Sequence, residues 1–302
     1  MSFKSWFIVL ASLLWSTDTL LRLPLVHEVS AVSIVFLEHA GSAVLALPFL
    51  WVYRVELKTL TSKQWAGLVF IGVAASALAT VAFTASFNYV NPSVSILLQK
   101  VQPLFTFVLA WGLLKEKLPV YFWRWAILAL AGGYLVSFPR VLPGWDWQDF
   151  SLLGVLLALA SAGLWGSATV IGRYLVKDVP YTLVAAVRFW VATPVLLVWL
   201  WWNQGVGYWP LLSFKGWWFI LLIILIEGFG AMYLYYRGLK ETRASISALL
   251  ELTWPVLAVF LNWIFLGQVL LWPQIVGGLV LLAAISRLTV WPVREQSNQP
   301  SE

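Results

Sequence analysis

The chain has 302 residues, of which 61% are hydrophobic and only 11% charged, with a formal net charge of +6. A soluble domain carries about 25% charged residues, so this chain cannot cover its surface with charge and must face lipid. The absence of cysteine removes disulfides and thiolate metal sites, and two histidines, His27 and His39, are too few for a histidine-rich cluster, so no metal or other cofactor is expected. The basic excess reads as lysines and arginines on cytoplasmic loops rather than as a nucleic-acid surface.

Apolar runs long enough to cross roughly 30 Å of hydrocarbon fall at 5–23, 31–53, 65–87, 92–114, 120–138, 152–174, 181–203, 215–236, 244–267 and 271–290, ten in all. The first follows Lys4 in the manner of a signal peptide. No small-x-small cleavage site comes after it, and Asp18 and Arg22 do, so it is expected to remain as a span. The connections are too short for an extramembrane domain, and the tail from Val293 is polar and expected to be disordered. With the N-terminus inside, fourteen of the 19 basic residues fall on the cytoplasmic side, among them Lys4, Arg54, Lys115, Arg173 and Arg237. Only Arg22, Arg140 and Lys215 fall outside, and Lys100 and Arg188 lie within spans. The positive-inside rule therefore places both termini in the cytoplasm.

The chain reads as a duplication. In the segment 91–117, Ser95, Gln99, Gln102 and Thr106 share one helical face around Pro103. The segment 243–269 repeats the design without a gap: with Pro255 laid on Pro103, Ser247 meets Ser95, Glu251 meets Gln99, Trp254 meets Gln102 and Trp263 meets Trp111. The first spans of the two halves agree as well, SLLWSTDTLLR at 12–22 against SAGLWGSATVIGR at 161–173. Five spans per half is an odd number, so the second copy is inverted across the bilayer. The loop after Pro103 is charged (Lys115, Glu116, Lys117), and its counterpart at 267–269 is not. The expected fold is an all-α integral membrane protein of ten transmembrane helices in two inverted five-helix repeats, 1–145 and 146–292, followed by a polar cytoplasmic tail, 293–302. Inverted repeats of this kind are a transporter signature, with the substrate site at their interface.

On Trp15 and Trp165, Ser93/Ser95 and Ser245/Ser247, Pro103 and Pro255, Glu116, and the pairs Gly132-Gly133 and Gly277-Gly278, the chain resembles the drug/metabolite transporter superfamily, most closely its bacterial EamA-type branch. The resemblance runs from about Ser5 to Leu288. It implies a ten-helix secondary transporter of the bacterial inner membrane, often an exporter of amino acids or other small metabolites. It also implies a cavity lined mainly by the first, third and fourth helices of each half. Two positions depart from that pattern: Gln268 stands where the family commonly has Glu, and Glu38 where it commonly has Arg, which the second half keeps as Arg188.

An ionisable group at the bilayer centre costs about 2.5–3.5 kcal/mol on insertion scales, so each charge within a span is a functional candidate that needs a partner. Asp18 shares a face with Trp15 and Arg22, and either serves the site or forms a local pair with Arg22, which can snorkel outward. Glu38 and His39 lie at a depth similar to Lys100, which allows a Glu38–Lys100 or Lys100–Asp18 pair, as a packing staple or as a proton-linked site. His39 titrates near neutral pH and can carry a proton, or can simply be hydrogen-bonded. Glu227 replaces Ala75 of the first half on a face of small residues, and Arg188 lies at a depth that permits a pair with Glu251. Pro103 and Pro255 each free a backbone carbonyl, those of Gln99 and Glu251, beside the polar stripe.

Many of the 21 tryptophans sit at span ends as an interfacial belt, whereas Trp15, Trp165 and Trp254 lie inside and are placed to stack on a planar or cationic ligand. Tyr233, Tyr235 and Tyr236 are weaker candidates of the same kind. The expected substrate site is thus Trp15, Ser95, Gln99, Gln102, Trp165, Glu227, Ser247, Glu251 and Trp254, with Asp18, Glu38, His39, Lys100 and Arg188 for protons or ion pairs. The functions these residues allow are a secondary transporter, expected to export a small polar or aromatic metabolite such as an amino acid, an exchanger of larger anionic solutes such as nucleotide sugars, and a non-transporting scaffold. The partners expected are a small molecule and the lipid bilayer, in a monomer or homodimer. An intramembrane enzyme is disfavoured by the lack of a Walker loop, a Gly-x-Ser-x-Gly motif or metal-ligand spacing.

Overall fold

The computed structural model describes residues 5–90, 95, 98, 99, 101–116, 120–137, 151–254, 257, 261, 264 and 272–297. Among them there are helices and no strands. In chain order the main ones are α1 (Trp6–Leu25), α2 (Ala31–Val52), α3 (Ser62–Ser86), α4 (Gln102–Leu114), α5 (Val120–Ser137), α6 (Leu152–Leu175), α7 (Tyr181–Gln204), α8 (Phe214–Leu239), α9 (Ala244–Leu250) and α10 (Trp272–Ser297). A short helix, Arg54–Thr59, joins α2 to α3. Six of these, α1, α2, α3, α6, α7 and α8, are long and apolar enough to cross a membrane. The stretches Gln102–Leu114, Phe122–Gly132 and Ile275–Ala284 are shorter apolar helices. The polar tail differs from expectation at its start, since α10 stays helical to Ser297.

Hydroxyl caps fix where the chain re-enters helix after a loop. Ser30, Ser151 and Ser213 accept hydrogen bonds from the backbone of Ser33, Gly154 and Gly216, and Thr61 with Gln64 forms a reciprocal capping box at the start of α3. At the other end of α4, Lys115 takes a left-handed φ of 55°, so the helix stops and Glu116 turns back.

Three helices are locally irregular, and each irregularity faces the interior. In α1, Ser16 and Thr17 donate to the carbonyls of Leu13 and Leu14 at 2.6 and 2.8 Å, which interrupts the helix between Trp15 and Asp18. In α3, Ile71–Ala79 is π-helical, and in α8, Ile223–Gly230 is π-helical with a non-helical Gly228. Such wide turns shift carbonyls out of the regular ladder and recur at functional sites.

The helices interlace along the chain. α1 packs on α8, α2 on α7, α6 on α3 and α4, α4 on α9, and α5 on α10. Small residues let backbones approach at these contacts. A methyl group added at Gly132 of α5 would lie 2.8 Å from both Gly277 O and Leu281 N of α10. The largest apolar cluster gathers Phe107, Leu183, Tyr236, Leu239 and Leu249 from four helices, and a second joins α2 to α7 through Ile34, Leu196 and Leu200. Trp51, Trp202 and Trp272 are each more than seven-tenths exposed, as interfacial anchors are.

Candidate functional site

The break in α1 and the irregular stretch of α8 border a cavity of about 180 Å³, which α3 lines through Thr80 and Phe83 just past its π-helical stretch. The break in α1 turns Thr17, Asp18 and Arg22 inward. Arg22 is buried, and its Nε donates to Asp18 Oδ1 at 2.7 Å while Nη2 donates to Glu38 Oε2 of α2 at 3.0 Å. Arg22 Nη2 also lies 4.0 Å from Glu227 Oε2 on α8. Glu227 accepts a hydrogen bond from Thr17 Oγ1 at 2.7 Å through its other oxygen. Three carboxyl groups therefore surround one guanidinium. Arg22 Nη1 and Glu227 Oε2 are buried without a hydrogen-bond partner among the described residues. His39 follows Glu38, its Nδ1 placed 2.9 Å from Val35 O; a carbonyl only accepts, so Nδ1 carries the proton of this bond.

A second polar group lies around Glu251, which sits in a turn directly after α9. It accepts from Gln102 Nε2 at 2.9 Å and from Tyr235 OH at 3.0 Å. Gln99 Nε2 in turn donates to Gln102 Oε1 at 2.7 Å, and Thr169 of α6 lies 2.9 Å from Tyr235 OH. This chain of polar groups links α4, α6, α8 and the end of α9 across the cavity.

The tryptophans that the sequence placed inside spans have a double role. Trp15 Nε1 donates to Glu227 O at 3.0 Å and Trp165 Nε1 to Ala75 O at 3.0 Å, so each indole claims a carbonyl of a π-helical stretch. Trp254 Nε1 donates to Trp15 O at 2.8 Å. With their N–H groups held, all three rings line the cavity, together with Phe83 and Tyr235. An aromatic wall beside charged groups suits a flat, partly polar solute.

The cavity is lined by Trp15, Gln99, Gln102, Trp165, Glu227, Glu251 and Trp254 among the expected substrate residues, and by Asp18, Glu38, His39, Arg188 and Pro103. Ser95 and Ser247 are not in its lining. Ser95 accepts from Ser86 Oγ at 2.8 Å, and Ser247 donates to its own helix at Arg243 O. Lys100 and Pro255 lie outside the described residues, and with them the Glu38–Lys100 and Lys100–Asp18 pairs. Two expectations on pairing are corrected. Arg22 does not snorkel outward, because a second carboxylate, Glu38, draws it inward. Arg188 does not pair with Glu251; it donates instead to Ser76, Met232 and Tyr236. Thr17, Thr169 and Tyr235 join the site, although only Tyr235 carried any signal in the sequence, as one of three clustered tyrosines.

The riboflavin transporter ImpX of Fusobacterium nucleatum is 29% identical over 288 residues, covering 93% of this chain and 96% of its own length. The uncharacterized transporter YwfM of Bacillus subtilis is 28% identical over 272 residues, covering 88% of this chain and 86% of its own. A solved crystal structure of a protein aligns with a TM-score of 0.77 over 97% of this chain and 99% of that one at 19% identity, a likeness of fold. The sequence matches the family model over residues 3–138 and again over 152–290, and the chain belongs to the EamA-like transporter family of multi-pass membrane proteins.

Proposed function

We propose that the chain is a secondary transporter that carries a small planar, partly polar solute by alternating access, with the cavity between α1, α4, α6 and α8 as its binding site. The observation that carries this reading is the set of three indoles, Trp15, Trp165 and Trp254, held by their N–H groups and lining one cavity with buried charges. A flavin, the solute named for the relative from Fusobacterium nucleatum, has the flat shape such a wall accommodates, as does an aromatic amino acid. The ten spans form two inverted repeats, 1–145 and 146–292, with the tail 293–302 and both termini in the cytoplasm of a bacterial inner membrane. In support, the family matches each half separately, and Trp15 and Trp165 make equivalent bonds to equivalent π-helical stretches.

Proton exchange is part of this reading. Three carboxyl groups and one guanidinium, buried together, form a place where a proton is held in one state and released in another. The rival exchanger of larger anionic solutes calls for several free cations, and Arg22 is already committed to Asp18 and Glu38. The test is counterflow of riboflavin and of tryptophan in proteoliposomes, with Glu251→Gln and Asp18→Asn beside the parent. Saturable exchange of one of them that weakens in both variants is expected. Exchange that ignores an imposed pH gradient removes the proton step. Neither solute bound nor exchanged removes the reading as a whole.

A further inference from the structure

Arg22 and Arg188 are both buried arginines of one cavity, and their surroundings differ in kind. Arg22 is met by Asp18 and Glu38 within 3.0 Å. Arg188, only 5% exposed, has neutral partners: Nε donates to Ser76 Oγ of α3 at 2.7 Å, and Nη1 donates to Met232 Sδ at 2.8 Å and Tyr236 OH at 3.2 Å, both on α8. Its Cζ also stands 5.8 Å from the Tyr236 ring centre and 5.7 Å from that of Phe189. No carboxylate forms an ion pair with it among the described residues, and Nη2 has no hydrogen-bond partner among them either.

A thioether and two hydroxyls orient a guanidinium without neutralising it. Burying a cation on those terms is unfavourable. Ser76 fixes one edge and α8 the other, so the planar group is held rigidly with its remaining N–H groups uncommitted. Packing alone gives no reason to keep a full charge here, whereas an arriving oxygen acceptor gives one.

We propose that Arg188 is a specificity-determining residue that binds an oxygen acceptor of the transported solute, a ring carbonyl or a carboxylate, through Nη2. This rests on the reading of the cavity as the substrate site and adds which end of the solute is recognised and by what. The acceptor docks at α7 while the flat part of the solute lies on the tryptophan wall.

Purified protein in detergent is titrated with riboflavin, which offers ring carbonyls and no carboxylate, by quenching of flavin fluorescence. A parallel titration with indole-3-acetate, which offers a carboxylate, is read by thermal shift. Whichever ligand the parent binds identifies the acceptor. Arg188→Gln is expected to weaken that ligand about tenfold or more. Arg188→Lys keeps the charge but loses the fork, and is expected to weaken it about threefold or more. Either variant binding as tightly as the parent overturns the assignment, even if its ligand-free unfolding temperature falls, because that pattern marks a residue that only joins α3, α7 and α8. A parent that binds neither ligand overturns this assignment, and the cavity reading falls with it only when tryptophan is not exchanged either.

Discussion

Replacing Arg22 by glutamine tests whether the carboxyl cluster is held together as described. The arginine side chain is 5% exposed and bridges Asp18 at 2.7 Å and Glu38 at 3.0 Å, with Glu227 a third carboxyl group 4.0 Å away. Removing one partner of a buried ion pair costs roughly 3–5 kcal/mol, because the other charge is left buried and unpaired. Here two carboxylates are orphaned at once. Glutamine keeps some hydrogen bonding to them but supplies no charge, so a loss of about 3 kcal/mol is the working figure. The assay is the unfolding free energy in mixed micelles with increasing denaturing detergent, followed by tryptophan fluorescence. The double variant Arg22→Gln with Glu38→Gln removes one of the orphaned charges and should recover about 1 kcal/mol relative to the sum of the single changes. A single variant within 1 kcal/mol of the parent, or strictly additive changes, would refute the reasoning.

Trp15→Phe and Trp165→Phe each delete one indole bond to a backbone carbonyl, at 3.0 Å in both cases, and each should cost about 1 kcal/mol in the same assay. No change in either would mean that the carbonyls of Glu227 and Ala75 are satisfied in another way. Gly132→Val forces a side chain onto the backbone of α10 and should destabilise by roughly 1–3 kcal/mol. Gly112→Ala, where an added methyl meets nothing within 4 Å, serves as its neutral control in thermal unfolding. Glu116 accepts from the backbone N–H groups of Ala244 and Ser245 and from Ser245 Oγ, tying the end of α4 to the start of α9. Glu116→Gln should loosen that tie. Because the chain has no cysteine, a lone Thr80→Cys in the cavity reports it, and its labelling by a water-soluble maleimide should rise a few-fold in the Glu116→Gln background. Unchanged labelling counts against Glu116 as a tie between the two helices.

The long spans were legible because hydrocarbon imposes a length: the runs expected at 31–53, 152–174 and 181–203 are α2, α6 and α7 to within a residue or so. Buried charges were legible because they are costly, and Asp18, Glu38, Glu227 and Arg188 do line the cavity. Their partners were not, since pairing depends on how helices dock. Arg22 reaches Glu38 across the loop between α1 and α2, and one-dimensional spacing shows only its neighbour Asp18. Periodicity put Ser95 and Ser247 on the polar stripe, and neither lines the cavity. A serine on a polar stripe can spend its hydroxyl on its own helix or on a nearby one, and both do. The π-helical stretches had no signature beyond small residues around Ala75 and Gly228, because backbone widening is decided by the neighbour that claims the freed carbonyl.

The crossed indole bonds bear on how the protein is made. When the first 150 residues have left the ribosome, the acceptor for Trp15, the carbonyl of Glu227, has not been synthesised, nor has the indole of Trp165 that will occupy Ala75 O. Arg22 already has Asp18 and Glu38, but the third carboxyl group arrives only with α8. The early helices are thus inserted before several of their final partners exist, and final packing waits for the C-terminal portion to enter the membrane. Biogenesis in this molecule ends with a long-range closure rather than with the stacking of two finished pieces.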